Sequence, residues 1–422
     1  MSDAPAPSRD TLSTPNDQPN RPLGRLAVVL LMALGTLGQL ALNIVLPSLP
    51  AIGADLDVVP GGERLILTAF LIGFAGGQLL VGPLSDRFGR RRILIPGLAV
   101  YAVLGGAAAM TASIEWLLAA RLLQGQGAAA GFVIARAIAR DVFQGAALVR
   151  IFGLLTLTMG IIPGISPIVG GFVQDYVGWE ANMAITMVMG GIMFVLCFVA
   201  LPETGTPNTG RISPTGVAFN YVSIFRDRTY RRFALTNALT LGSLYAFHAG
   251  GPELMIQQLG LTPSAFGFLA FLHSTAYILG AATVSALSAR ISSPSKVIIA
   301  NALAMCGSAI GMLVLSLTGY ATVTTIMVFM VIFGYALGAI LPLGVAGALS
   351  PFKTSAGTAT ALLGALQMSA GGIASAVVAA FPDTPGIAFP IVMIVMTGAA
   401  AINARPSKQE TESQENSDDR DT

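Results

Sequence analysis

The 422 residues are 54% hydrophobic and only 10% charged, a composition typical of a polytopic membrane protein, since soluble domains are about a quarter charged. The formal net charge of +2 is too small to indicate a nucleic-acid partner. The two cysteines, Cys197 and Cys306, both lie in apolar runs, so we expect no disulfide framework.

Twelve apolar stretches are long enough to cross a bilayer as helices, which takes about 20 residues each. The first is too long for a signal-peptide core and lacks a convincing cleavage site, so we expect it to be retained. The fold class predicted is therefore an all-α membrane protein with two six-helix bundles. The predicted spans are residues 26–50, 64–84, 93–112, 115–137, 147–173, 180–202, 232–256, 264–287, 295–317, 319–345, 355–379 and 385–404.

Polar stretches set the domain boundaries. Residues 1–24, rich in Pro, Ser, Asp and Asn, and the charged residues 405–422 are predicted to be flexible tails. The first bundle takes residues 25–202 and the second takes residues 232–404, with a polar linker over 203–231 between them. Two bundles joined by a linker are a common plan among secondary transporters, which place the substrate site at the interface of the halves.

The distribution of positive charge predicts the orientation in the membrane. Of the 23 Lys and Arg residues, 21 lie in the tails or at alternate loops, including the loop between spans 2 and 3 and the linker. The remaining loops carry acidic residues such as Asp55 and Asp175 instead. Since cytoplasmic loops carry the excess of Lys and Arg, both termini are predicted to be cytoplasmic.

Ionisable side chains inside the predicted spans are candidates for function, because a charge at bilayer depth costs at least ~2.5 kcal/mol. They are Arg121, with Gln124 on the same helix face, and His248, His273 and Glu253. The alternatives are a snorkelling Arg121, histidines that are only interior residues, and a solvated Glu253.

The fifth span contains glycines and prolines that allow a bend and a close helix contact. Its small-residue face could let another helix slide against it, and plain helix packing is the alternative. The residues concerned are Gly160, Pro163, Gly164, Pro167, Gly170 and Gly171.

Two motifs that would indicate an enzyme are missing from the sequence. It has neither a GxxxxGK[ST] phosphate loop nor an HExxH metal site. We therefore expect no cofactor, no metal site and no enzymatic activity, and an energy source that is either an ion gradient or a partner subunit.

The stretch "GQLLVGPLSDRFGRRR" between spans 2 and 3 resembles the loop signature of the major facilitator superfamily, and more narrowly its Bcr/CflA branch of proton-driven drug efflux pumps. "LPSLP", "RLLQGQGAA", "RAIARDVF", "SPIVGGFV", "LPET" and "AGTATALLGALQ" follow the branch in the same order. The resemblance covers about residues 37–402. It implies a bacterial inner-membrane protein surrounded by lipid, monomeric by family default, that exchanges a small molecule for protons.

Carried over residue by residue, the resemblance implies a conformational lock made of charged side chains at the cytoplasmic end. Two glycines would permit the tight turn on either side of the Asp. In the family this lock favours the state open to the outside. The positions are Gly82, Asp86, Arg87, Gly89, Arg90, Arg136, Arg140 and Asp141.

The resemblance also implies a cavity in which protons and substrate are handled. Its predicted residues are Asn43, Arg121, Gln124, His248, Glu253 and Gln367, and the six small residues of span 5 resemble an antiporter motif. Many drug exporters carry an acid where this chain has Asn43, and an amide cannot carry a proton in the relevant pH range. Glu253 and His248 are then the candidate carriers, and a neutral, zwitterionic or anionic substrate facing Arg121 is favoured over a strongly cationic one.

Three functions are consistent with the sequence. The first is a proton-coupled exporter of small amphipathic drugs. The second is an exporter of a metabolite, such as an amino acid or sugar derivative, on the same fold, and the third is a membrane receptor that does not transport. The loop signature and the span 5 motif favour transport.

Overall fold

The structure is a computed structural model that describes residues 25–205, 213–352 and 355–405. All regular elements within these ranges are helical. The predicted tail over residues 1–24, residues 406–422 of the predicted tail 405–422, and residues 206–212 of the predicted linker lie outside the described residues.

The helices follow the predicted spans closely. The first half of the chain forms α1 (Arg25–Asn43), α2 (Leu49–Asp55), α3 (Leu65–Phe88), α4 (Arg90–Ala109), α5 (Ile114–Val142), α6 (Gly145–Tyr176) and α7 (Trp179–Ala200). The remainder forms α8 (Pro214–Arg226), α9 (Arg228–Pro252), α10 (Pro263–Leu287), α11 (Pro294–Thr318), α12 (Val323–Leu349), α13 (Ala356–Ala379) and α14 (Pro385–Asn403).

The first predicted span is broken in two. The helix α1 ends at Asn43, a short 3-10 turn covers Leu46–Ser48, and α2 continues from Leu49. Pro47 and Pro50 explain the break, because proline lacks the amide hydrogen that an uninterrupted helix requires.

Eleven helical segments in the described ranges are long and apolar enough to cross a membrane, with α1 and α2 counted together. The helix α9, at the seventh predicted span, does not meet this criterion although it is 25 residues long. It starts with Arg228 and Arg231 and carries Thr236, Asn237 and Thr240 along its length. Those last three side chains are almost fully buried, so the polar residues of α9 face the protein and not the lipid.

The helices form two bundles, α1 with α3–α7 and α9–α14, which meet along two helix pairs, α3 with α13 and α6 with α10. Large apolar side chains such as Val103 on α4, Val199 on α7 and Leu303 on α11 lie exposed on the outer surface. An apolar exterior of this kind is what lipid-facing helices require.

The predicted linker contains a helix, α8, which its polar composition did not indicate. The Ser213 hydroxyl caps its first turn by accepting a hydrogen bond from the Gly216 amide at 3.2 Å. Ile224 packs in a buried cluster with Tyr230 of the second bundle. Only Asp227 separates α8 from α9, and its carboxylate accepts a hydrogen bond from the Tyr230 amide at 2.7 Å.

Candidate transport cavity

A cavity of about 530 Å³ lies between the two bundles. Helices α1, α5 and α6 form one wall, and helices α9, α10, α12 and α13 form the other. Most of its lining side chains are apolar, among them Phe132, Phe247, Phe266, Met327 and Met330. Pockets for drug-sized ligands have volumes of roughly 300–1,000 Å³, so the cavity can hold one such molecule.

The two ends of the bundles differ in charge and in whether the cavity reaches them. At the basic end, where α3 turns into α4 at Gly89, the cavity is lined by Arg140, Leu349 and Ala356. At the opposite, acidic end, α2 contacts the short π-helical segment Glu253–Gln258, which joins the bundles there. The cavity therefore extends to the basic end and is closed at the acidic end.

Arg64 links the two bundles at the acidic end by hydrogen bonds across their interface. Its side chain is almost fully buried, and its guanidinium donates to the carbonyl oxygens of Val378 at 3.1 Å, Phe381 at 3.4 Å and Pro382 at 3.4 Å. Its Nε lies 3.1 Å from the Glu63 carboxylate. The carbonyls at a helix C-terminus lack helical partners and carry partial negative charge, so α13 offers a cation site that Arg64 occupies.

Asn43 lines the cavity, as predicted, and is held by its own helix. Its amide donates to the Gln39 carbonyl oxygen at 2.7 Å and to the Gln39 side-chain oxygen at 3.3 Å. Gln39, which was not among the residues predicted from the sequence, also lines the cavity. Its spacing of four residues from Asn43, one helical turn, was the available signal.

Gln367 lines the cavity on the opposite side and belongs to a polar network of the second bundle. Its amide donates to the Asn237 side-chain oxygen at 2.6 Å, and Asn237 donates to the Leu341 carbonyl at 3.0 Å. Asn237 is fully buried and was not selected from the sequence. The network links α9, α12 and α13 beside the cavity.

Two histidines line the cavity, and they differ in their hydrogen bonding. The Nδ1 of His273 lies 2.9 Å from the Met330 carbonyl oxygen. The Nδ1 of His248 has no hydrogen-bond partner among the described residues. Its ring packs against Tyr245 with the centroids 5.5 Å apart. Of the two, only His248 therefore has a buried Nδ1 without a partner in the described part of the chain.

Arg121 and Gln124 do not line the cavity, contrary to expectation. Both are fully buried inside the first bundle. The Arg121 guanidinium donates to the Gln124 side-chain oxygen at 2.7 Å and to the Ala41 carbonyl at 2.8 Å, and it stacks over the Phe70 ring. Gln124 in turn donates to Thr186 at 2.9 Å. The face they share on α5 points at α1, α3 and α7, and not at the second bundle.

Glu253 also lies outside the cavity lining. It begins the segment Glu253–Gln258 at the acidic end, where its charged neighbours are Glu63 and Arg64. Pro252 ends the α9 helix beside it, and His248 lines the cavity whereas Glu253 does not. The structure therefore does not bring together the two proton carriers considered from the sequence.

At the basic end, Arg90 is the centre of the charge network. It pairs with Asp86 of α3, lies 3.1 Å from Asp141 of α5 through Nε, and donates to Ser85 at 2.9 Å. All four side chains belong to the first bundle. The network as found ties α3, α4 and α5 together and does not cross to the second bundle.

The other arginines predicted for the lock have aromatic partners. Arg136 stacks over Phe132 at 3.6 Å, Arg140 over Phe152 at 5.5 Å, and Arg87 over Phe88 at 5.2 Å. No ion pair to a described Asp or Glu involves any of the three. Arg136 and Arg140 line the transport cavity instead.

Comparison with known proteins decides the family. The family model of the Major Facilitator Superfamily matches residues 31–375. The chain belongs to this superfamily. As a member, it is a multi-pass membrane transporter of small molecules.

The relatives of this superfamily member include drug-resistance proteins. It is 32% identical to an uncharacterized MFS-type transporter, YdgK, of Bacillus subtilis (strain 168), over 88% of this chain and 92% of the relative. It is 28% identical to multidrug resistance protein D of Escherichia coli (strain K12), over 87% and 92%. Further relatives are named for bicyclomycin and chloramphenicol resistance, so the Bcr/CflA resemblance is confirmed.

A solved structure shares the fold of this superfamily member. It is a bacterial homolog of the human lysosomal transporter Spinster in an inward-facing, unoccupied conformation, with a TM-score of 0.67 and 14% identity over 91% of this chain and 95% of that chain. The predicted all-α fold of two bundles is confirmed.

Glu203 completes the turn between α3 and α4 in this transporter. Gly89 has a φ of 102°, which favours glycine, and the Glu203 carboxylate accepts hydrogen bonds from the Arg90 amide at 2.7 Å and the Arg91 amide at 3.2 Å. A carboxylate at a helix N-terminus satisfies orphan amides. Gly82, by contrast, lies within α3 and forms no turn, and Glu203 was visible in the sequence only as part of "LPET".

Tyr221 on α8 links the linker helix to the first bundle of the transporter. Its hydroxyl donates to the Leu79 carbonyl of α3 at 2.9 Å. Burial, together with the charge of Asp86, raises the pKa of Tyr221 to about 12. The hydroxyl therefore stays a neutral donor at ordinary pH.

The small residues of α6 form the seam with α10. A Cβ at Gly171 would lie 2.3 Å from the Pro263 carbonyl oxygen, and one at Gly164 would lie 2.9 Å from the Ser274 Cβ. Gly170 meets the turn that follows α1 instead, at the Ile44 carbonyl. Gly160, Pro163 and Pro167 line the cavity. Gly164 and Gly171 pack α6 against α10 across the bundle interface, and sliding of one helix along the other stays a prediction.

Proposed function

We propose that the protein exports small amphipathic compounds from a bacterial cell across the inner membrane, in exchange for protons and by alternating access. The observation that carries the proposal is the apolar cavity of about 530 Å³ between the bundles, which is closed at one end by Arg64. A binding site at the interface of two bundles is the plan of secondary transporters.

The basic end faces the cytoplasm in this proposal. Arg87, Arg90, Arg91 and Arg92 lie at that end, and cytoplasmic loops carry the excess of Lys and Arg. The structure then corresponds to a state that is open inward, ready to load a substrate from the cytoplasm or the inner leaflet. Both termini are proposed to be cytoplasmic, and the protein to work as a monomer.

The proton carrier open to the cavity is His248 in this proposal. The described lining contains no carboxylate, and His248 Nδ1 has no partner there. A neutral imidazole can accept a proton on a ring nitrogen. Glu253 remains a proposed carrier at the acidic end, beside Glu63 and Arg64.

Everted membrane vesicles test the proposal. A panel of fluorescent amphipathic dyes is added to vesicles with and without the protein, a proton gradient is imposed, and dye accumulation is followed before and after an uncoupler. We expect accumulation that requires the protein and collapses with the gradient. Accumulation insensitive to the uncoupler would overturn proton coupling, and the absence of any accumulation, together with no protection in growth assays, would overturn export.

A further inference from the structure

The charge balance of the transport cavity is one-sided. Its described lining includes the two arginines Arg136 and Arg140 and no Asp or Glu. A cavity that received cationic compounds would be expected to offer a carboxylate, since a buried charge needs an opposite partner. The lining therefore disfavours cations and leaves positive charge available.

Arg136 retains unused hydrogen-bonding capacity. Its contacts are the Phe132 carbonyl at 3.0 Å, the Met159 sulfur at 2.9 Å and the Phe132 ring. A guanidinium has five N–H donors, and a sulfur atom is a weak acceptor. Arg136 is partly buried and forms no ion pair with a described carboxylate.

Arg140 lies one helical turn further along α5 and faces the same cavity. The carboxylates nearest to it, Asp86 and Asp141, are paired with Arg90. Two like charges four residues apart destabilise a helix, and an anion held between them would remove that cost. Phosphate and carboxylate groups bind guanidinium in a bidentate manner.

The apolar part of the cavity lies deeper, toward the acidic end. Phe247 lies near the end of α9, and Phe266 and Met327 lie near the starts of α10 and α12, whereas the arginines lie in the last turns of α5 at the basic end. A molecule with an apolar body and one charged end would fit the cavity with the body in this region and the charge at α5.

We propose that Arg136 and Arg140 bind the anionic group of the substrate, so that the transporter selects amphipathic organic anions. This inference rests on the proposed function. It replaces the role that the sequence suggested for Arg121, whose guanidinium is enclosed in the first bundle.

Three probes with the same body and different charge test the inference: pyrenebutyrate, pyrenebutanol and pyrenebutylammonium. Binding to the full chain in phosphatidylcholine nanodiscs is measured by equilibrium dialysis, with empty nanodiscs as the blank. We expect pyrenebutyrate to bind about tenfold more tightly than pyrenebutanol, a difference of ~1.4 kcal/mol, and pyrenebutylammonium to bind most weakly.

Variants assign the preference to residues. Arg136→Gln and Arg140→Gln should each reduce the preference for pyrenebutyrate, whereas Arg136→Lys should retain most of it. Arg92→Gln removes the same charge from an exposed position at the same end and should change nothing. Pyrenebutanol affinity is the control for an intact cavity, because the alcohol does not need a guanidinium.

The possible outcomes distinguish a failure of this inference from a failure of the proposed export function. Equal affinity of the wild type for pyrenebutyrate and pyrenebutanol, or a preference that survives both glutamine variants, overturns the inference while transport stands. Failure of the wild type to bind or accumulate any of the three probes counts against both. Should Arg136→Gln lose pyrenebutanol binding as well, Arg140→Gln and Arg136→Lys decide the result.

Discussion

The guanidinium of Arg64 donates from Nη1 to the carbonyl oxygen of Val378, 3.1 Å away across the interface between the two bundles. Ser375, one turn earlier on α13, donates back to the Arg64 carbonyl at 3.2 Å. The acidic end is thus closed by hydrogen bonds to backbone atoms at fixed positions. Its opening requires all of them to break together.

Arg64→Gln is expected to favour opening of the acidic end, because glutamine cannot reach three carbonyls. Each hydrogen bond from a charged group contributes about 1.5–3 kcal/mol, so the open state should gain at least about tenfold in population. The measurement is the rate at which an impermeant maleimide added from that side labels Ser274→Cys, a cavity position, with Cys197 and Cys306 replaced by serine. Asp57→Asn, at an exposed residue of the same end, is the control, and equal rates for Arg64→Gln and its parent would contradict the prediction.

Gly171→Ala is expected to separate α6 from α10, since the added Cβ would lie 2.3 Å from the Pro263 carbonyl oxygen. Overpacking of this kind costs about 1–3 kcal/mol. The apparent melting temperature of the purified protein should fall by several degrees and transport should decrease. Gly153→Ala on the same helix meets no atom within 4 Å and should be neutral or slightly stabilising; similar losses in both variants would rule out the seam as the cause.

Asp141→Asn is expected to weaken the charge network, because it removes the charge that faces Arg90 Nε at 3.1 Å but keeps an oxygen acceptor. The pair is partly exposed, so its contribution to stability is about 1 kcal/mol or less. We expect a melting temperature close to that of the wild type and a larger fall in dye transport in everted vesicles. A transport rate equal to that of Arg92→Gln would show that the network has no part in the cycle.

His248→Gln is expected to flatten the pH dependence of transport, since Nδ1 of His248 is free of hydrogen bonds in the described structure and can take a proton from the cavity. His273→Gln is the matched control, because the His273 ring is already held by the Met330 carbonyl. Initial rates in vesicles are compared over a range from about pH 5.5 to about pH 8. An unchanged pH profile in His248→Gln would exclude this histidine as the carrier.

Asn43→Asp is expected to extend transport toward cationic dyes. In the wild type the amide donates to two oxygens of Gln39, at 2.7 and 3.3 Å. The carboxyl group of the variant can donate a hydrogen bond to Gln39 only while it is protonated. Once ionised, it gives the cavity a negative charge, which the lining of the wild type lacks. Vesicle accumulation of pyrenebutylammonium is the measurement, with Asn43→Ser as an uncharged control, and no gain over that control would refute the charge argument.

The sequence was sufficient for the fold class, and it pointed to the contact of Asp86 with Arg90 but not to the aromatic partners of Arg136 and Arg140. Span lengths and polar linkers follow directly from the thickness of the bilayer. Asp86 and Arg90 are close in the chain, so their contact needs little tertiary information. The small residues of span 5 likewise indicated a helix contact, but they did not identify α10 as the partner.

The sequence could not determine which neighbour each buried polar side chain contacts. Arg121 was expected at the cavity, yet its partner is a carbonyl of α1, at Ala41, and no pattern reports the rotation of α5 relative to α1. The same reason explains why Asn237 and Glu203 escaped notice, since each acts on a residue more than a hundred positions away. The polar character of α9 was evident, but only packing shows that it is turned inward.

The helix α8 restricts how the two bundles can move relative to each other during a change of conformation. Through Ile224 it is packed onto the second bundle, while Tyr221 holds it to Leu79 in the first, and a single residue, Asp227, connects it to α9. A rocking motion of the bundles must therefore break the Tyr221 hydrogen bond or rotate the chain at Asp227. The helix α8 therefore connects the two bundles, with the Tyr221 hydrogen bond as the contact that can be released. Its length limits how far the bundles can move apart at the basic end.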